Sequence, residues 1–167
     1  MSFSYEALSV LCREFSEEFS VVIQETKLFL TQFSTEKRVG FADAEAIKEA
    51  HLAPYAELVT SLLASLSRSD ALALRLGTLL ECTFCTAFAR EMSTVEELFS
   101  AYERYRSVTA SYLAESQKQL SDKAALSAKG AAPLIQSTRA LLAAQMQAKE
   151  SFSKHVSGYS VQLGGSI

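Results

Sequence analysis

At 167 residues the chain fits one domain and is long enough to bury a sizeable core. Six glycines, two prolines and no tryptophan favour long helices over a sheet-rich fold with frequent turns. The formal net charge is -3, with an acidic excess over residues 1–66 and only a mildly basic segment after Pro133, so the clustered basic face that nucleic acid requires is missing.

The first residues carry no Lys or Arg before Arg13 and place Glu6 where a signal peptide would need its apolar run, so no secretory leader is expected. No segment approaches the ~18 uninterrupted apolar residues of a transmembrane span, and a cytoplasmic location follows as the expectation. Cys12, Cys82 and Cys85 make an odd count without an export signal, which predicts reduced thiols packed as small hydrophobes.

In chain order, the first predicted helix runs from about Phe3 to Phe33. Leu8, Leu11, Cys12, Phe15, Phe19, Val22, Ile23, Thr26, Phe29, Leu30 and Phe33 keep an i, i+3, i+4 stripe without a slip, and charged residues take the other faces. Ser34 to Ala42 reads as a loop. Asp43 then caps a second helix, which Pro54 should kink or break near His51 to Ala53 by removing a backbone donor. The run Ser67-Arg-Ser-Asp70 should end that helix and cap a third, Ala71 to Met92, with Gly77 admitting a close helix contact. Ser93 with Glu96, or Thr94 with Glu97, offers a capping box for a fourth helix reaching the Gly130-x-x-Pro133 stop. Its stripe, Val95 to Leu120, is roughly 140° wide at 100° per residue. A fifth amphipathic segment follows from Leu134 to Gly158, with Pro133 suited to its first turn and residues 159–167 as a flexible C-terminal tail. The expected fold is all-α: an elongated up-and-down bundle of four to five helices, one domain over residues 1–158.

The chemistry-bearing residues assemble into no catalytic constellation. Cys82-Thr-Phe-Cys85 lies in the middle of a predicted helix among Leu and Phe, whereas a redox C-x-x-C sits at a helix start. Zinc would need two further ligands at short spacing, and only isolated Cys12, His51 and His155 remain. The Glu-x-x-His pairs of a di-iron bundle fail as well, because Lys48 and Phe152 stand three residues before the histidines. His51 reads as a polar residue at the Pro54 kink and His155 as a partner of C-terminal helix carbonyls. Glu103 with Arg106 and Glu115 with Lys118 can form i, i+3 pairs on the solvated face. No phosphate loop or nucleophile elbow is present, and neither an enzyme nor a cofactor or metal is expected.

Thr94 to Leu134 carries an order of features: Val95-Glu-Glu-Leu-Phe99, then Tyr and Arg positions, then Tyr112-Leu-Ala-Glu-Ser116, Gln119-Leu-Ser-Asp122, and an Ala-rich run closing on Ala132-Pro133-Leu134. This stretch resembles the later half of bacterial phasins, small helical proteins that coat polyhydroxyalkanoate granules. The resemblance implies a non-enzymatic granule-associated coat, homo-oligomeric, whose partner is a hydrophobic polymer surface. The candidate contact residues are Phe15, Phe19, Phe29, Leu98, Phe99, Tyr102, Tyr105 and Tyr112, which are also the obvious core of a free bundle. The alternative reading is a helical-bundle interaction or membrane-scaffold module, possibly dimeric.

Overall fold

The computed structural model describes the backbone of residues 5–36, 47, 49–86 and 89–166, and side chains over 5–33, 47, 49–79, 81 and 92–156. Among these residues there are five helices and no strand: α1 Tyr5–Glu36, α2 Glu49–Thr86, α3 Ala89–Ser121, α4 Lys123–Lys129 and α5 Ala132–Ser166. The expected all-α bundle is present, with helix lengths of about 50 Å at 1.5 Å per residue.

Four long helices form a ring in the order α1, α2, α3, α5. Neighbours run antiparallel throughout, as the pairings Glu18 with Arg68, Asp70 with Arg106, Tyr112 with Thr138 and Ser16 with Ser153 establish. Packing is densest between α1 and α5, then between α2 and α3; it is thinner between α1 and α2 and thinnest between α3 and α5.

Several boundaries differ from those expected. α2 is one helix where two were predicted. Pro54 is its sixth residue, so only its own missing N–H is lost from the ladder and tertiary packing carries the helix through. The predicted capping run at 67–70 is also helical: Ser69 is buried and Asp70 binds across to α3, so both serve as inter-helix groups. Gly77 borders open space, since a Cβ there would meet nothing within 4 Å, and it marks no close helix contact.

α3 begins at Ala89, placing the Ser93/Thr94 capping box inside the helix. The predicted helix to Leu134 is interrupted at Asp122, whose carboxylate accepts from the Ala125 backbone N–H at 3.1 Å and starts α4. Gly130, at φ 80°, ends α4 in the left-handed region that glycine adopts without a steric penalty. Pro133 falls in the first turn of α5 as expected, but α5 continues beyond Gly158 to Ser166, over residues read as a tail. α1 continues to Glu36, past the expected loop start at Ser34. The Asp43 cap lies outside the described residues.

The interior divides into two apolar clusters. The near half, beside the α1–α2 and α3–α5 connections, gathers Val22, Phe29, Phe33, Ile47, Tyr55, Leu58, Leu62, Tyr112, Leu113, Leu126 and Leu134. The far half gathers Leu8, Leu11, Cys12, Phe15, Phe19, Leu76, Val95, Leu98, Tyr102, Tyr105 and Phe152. Each large side chain removed from water contributes about 1.5–3 kcal/mol before the entropy of ordering it.

Between the clusters every long helix turns a polar residue inward: Thr26 on α1, Ser65 on α2, Thr109 on α3 and Gln145 on α5, none more than 1% exposed. Gln145 Nε2 donates to Thr26 Oγ1 at 3.0 Å, and Thr26 Oγ1 donates to the Val22 carbonyl at 2.6 Å. Gln145 Oε1 and Ser69 Oγ, both buried, have no hydrogen-bond partner. Buried polar side chains stabilise less than the apolar packing on either side of them.

Candidate apolar contact surface

Seven of the eight candidate contact residues face the interior: Phe15, Phe19, Phe29, Leu98, Tyr102, Tyr105 and Tyr112 are all at most 6% exposed. Phe99 is half-buried against the edge of the far cluster. The structure therefore brings five of the eight together in the far half, sets Phe99 at its edge, and puts Phe29 and Tyr112 in the near half. Tyr102, Tyr105 and Tyr112 are well inside the core.

The far half is an aromatic stack. Phe15 lies 4.3 Å from Phe152 between ring centroids and 5.4 Å from Tyr102; Phe19 meets Tyr105 edge-on at 4.9 Å. Such offset and edge contacts add about 0.5–1.5 kcal/mol per pair beyond area burial. Phe15 and Phe19 reach across the ring from α1 to α3, so this cluster couples opposite walls. Phe152 completes it from α5, on the apolar stripe expected of the fifth amphipathic segment.

Three of the four buried tyrosines, Tyr55, Tyr102 and Tyr112, end on a side-chain hydrogen-bond partner. Tyr102 donates to Asp70 Oδ1 at 2.6 Å, and Arg106 grips both oxygens of the same carboxylate at 2.9 and 3.1 Å. Arg106 thus pairs across helices and not with Glu103, because the bidentate geometry outweighs a local i, i+3 contact. Burial works to raise the Asp70 pKa, but the hydrogen bonds from Arg106 and Tyr102 outweigh it and hold the carboxyl below its usual range. Burial, then the bond to Asp70, pushes the Tyr102 hydroxyl far above 10. Tyr105 is raised to about 12, chiefly by burial. In the near half Tyr55 donates to Gln119 Oε1 at 2.6 Å and Tyr112 shares a 2.8 Å bond with Thr138.

The histidines depart from their sequence readings. His51 is buried and stacks on Phe33 at 4.5 Å, as part of the near core. His155 lies well short of the α5 terminus, and burial lowers its pKa. Cys12 is buried as expected, its thiol raised to about 12 by desolvation. The backbone of Cys82 and Cys85 forms the last turn of α2, not a mid-helix site, and this is the opposite helix end from a reactive C-x-x-C; their side chains lie outside the described residues. Among the described residues no group of three or more His, Cys, Asp or Glu side chains could hold a metal, and no helix is long and apolar enough to cross a membrane.

The seam between α3 and α5 is grooved along much of its length. Three successive depressions of about 390, 370 and 350 Å³ share Arg104, Ser107, Val108 and Ser151 between neighbours and reach from Ser93 to Gln119. Ser100, Ser107, Ser111, Ala140, Ala144 and Ala148 along it are too short to fill the space between two helix backbones, and Glu96, Glu97, Arg104, Lys154 and His155 line its far end.

The apolar residues that do meet solvent are others. Val10, Val21 and Leu28 are 37%, 49% and 59% exposed on α1, and Leu63 and Leu74 are 43% and 76% exposed on α2. Their steps of 11 and 7 residues keep each set on one line of its helix, a signal hidden in the sequence beside a stronger core stripe. No protein-family model, curated protein or solved structure matches the chain.

Proposed function

We propose that the protein is a non-enzymatic, phasin-like coat for an apolar polymer such as a polyhydroxyalkanoate granule. The observation that carries this reading is the far-half aromatic cluster. It gathers Phe15, Phe19, Leu98, Tyr102 and Tyr105 on the inner faces of helices whose outer faces are charged. Laid against a polyester, such faces gain about 25 cal/mol per Å² buried while Glu and Lys keep the outer side wetted. Because these residues are interior in the closed bundle, binding requires the helices to part. The phasin-like stretch, Thr94 to Leu134, supplies α3 and one wall of the grooved seam.

Co-sedimentation with polyhydroxybutyrate particles tests it. The wild-type chain pellets with the polymer, and Phe99→Asp, at the half-buried edge of the cluster, lowers retention at least tenfold while keeping its helical circular dichroism. No pelleting by the wild-type chain overturns the reading.

A second reading, a module that docks partner helices, is favoured by the exposed line Val10, Val21 and Leu28 on α1. A sedimentation-velocity experiment in which Val21→Lys and Leu28→Lys shift an oligomer to monomer, in a chain that does not pellet with the polymer, supports it over the granule reading.

A further inference from the structure

We infer that the bundle opens as a clamshell, the α1/α5 pair swinging away from the α2/α3 pair at the far end while the near half stays closed. The purpose of this opening rests on the surface-coating reading; the motion itself stands on the architecture. Four observations converge on the same dividing plane.

Packing is densest within the two pairs and thinnest across the seams that divide them. Within the pairs, Ser16 meets Ser153 at 2.7 Å and Phe15 stacks on Phe152, while Asp70 ties α2 to Tyr102 and Arg106 of α3. Only residues 87–88 separate the end of α2 from the start of α3, which holds that pair together at the far end.

The helix ends that the two inter-pair connections join, the end of α1 with the start of α2 and the end of α3 with the start of α5, lie at the near end. There Ile47, Leu126 and Ala131 are buried in the near cluster and anchor them. Nothing covalent between the described helices joins the pairs at the far end.

Opening must break the ring contacts of Phe15 with Tyr102 and of Phe19 with Tyr105, which join α1 to α3, but the polar far-end links across the seams are weak. Between α1 and α2 they are Glu18 to Ser65 and Arg68 and Glu14 to Arg75; the arginine side chains are 54% and 56% exposed, so water and salt compete for them. Between α3 and α5 lies the groove, where short Ser and Ala side chains alternate with water-accessible Glu97, Arg104, Lys154 and His155. Finally, the buried polar side chains Thr26, Ser65, Thr109 and Gln145 interrupt the apolar interior where the two clusters meet, with Gln145 bonded to Thr26.

Thiol labelling tests the motion without any polymer. The reporter is Ala148→Cys, on α5 at the groove and buried in the far half, in a chain with Cys82→Ser and Cys85→Ser; peptide mass separates it from Cys12. One lock joins the pairs: Glu14→Cys and Arg75→Cys, coupled by a short bis-maleimide while the reporter is still buried. The other lies within a pair: Ser16→Cys and Ser153→Cys as a disulfide, which the 2.7 Å contact accommodates. The inter-pair lock should slow labelling at position 148 at least tenfold, and the intra-pair lock should leave it within about twofold. Global unfolding would give the reverse ranking, since the 16–153 link closes the longer loop and stabilises more. Equal slowing, no slowing, or slowing by the 16–153 link alone overturns the clamshell. In co-sedimentation, the inter-pair lock abolishes polymer binding and the intra-pair lock preserves it. If the unlocked chain does not bind polymer, the coating reading falls while the labelling result still decides the opening.

Discussion

The two halves of the interior use aromatic residues in different ways. In the far half, rings pack on rings across the bundle, and Tyr102 ends on a carboxylate that Arg106 holds at the surface. In the near half, Tyr55 and Tyr112 end on neutral groups, Gln119 and Thr138, among aliphatic side chains. Charge therefore fixes the far half and neutral hydrogen bonding the near half, so the far half should answer to salt and to acid while the near half answers only to alkaline pH, through Tyr112.

The largest effect expected is from Phe15→Ala, which empties the centre of the far stack and should cost about 3–5 kcal/mol in urea unfolding. Phe29→Ala removes an equally buried ring in the near half and should cost a similar amount. The comparison is broken if labelling of an Ala148→Cys reporter accelerates equally in both variants, since only the first loosens the half that parts.

Polar substitutions come next. Thr26→Val strips Gln145 of its one hydrogen bond in the middle layer and should cost about 1–3 kcal/mol, whereas Thr26→Val with Gln145→Leu removes both partners and should be near neutral or stabilising. Tyr102→Phe loses a bond to a charged acceptor, about 1.5–3 kcal/mol before discounting for the half-exposed carboxylate, and Tyr112→Phe loses a neutral one, about 0.5–1.5 kcal/mol. Equal losses would show that the Asp70 charge does not distinguish the halves.

The pH profile follows from signs. Asp70 is held below 3.8, so its contribution is complete above that value and is lost as pH falls through the folded pKa. His155 is lowered by burial, so the folded state disfavours its protonation and stability falls as pH drops below 6.5. Tyr102, Tyr105 and Tyr112 are raised above 10, so stability is full below pH 10 and declines above it. Urea midpoints from pH 3 to 11 should trace both limbs, and Asp70→Asn should flatten the lowest part of the acid limb. The smallest effect is Gly77→Ala, which fills open space on a helix and should raise stability by about 0.5–1 kcal/mol in thermal melts.

The sequence by itself determined the helical class, the inward stripes of α1 and α3 and the burial of Cys12, because period 3.6 places Leu8, Phe15, Phe19, Val22 and Phe29 on one face whatever they pack against. It also located the aromatic residues of the candidate contact surface. It could not decide their accessibility, since the same stripe serves a core or an exposed patch, and closure of four helices into a ring turned seven of the eight inward. Tertiary structure alone decided the boundaries at Ser67 to Asp70 and at Ser93, where local capping chemistry was outweighed by inter-helix bonds from Asp70 and by burial of Ser69 and Val95. It alone brought Gln145 onto Thr26, 119 positions away, in the buried interior. Side chains so far separated in sequence share a level only after antiparallel packing fixes the register of the four helices.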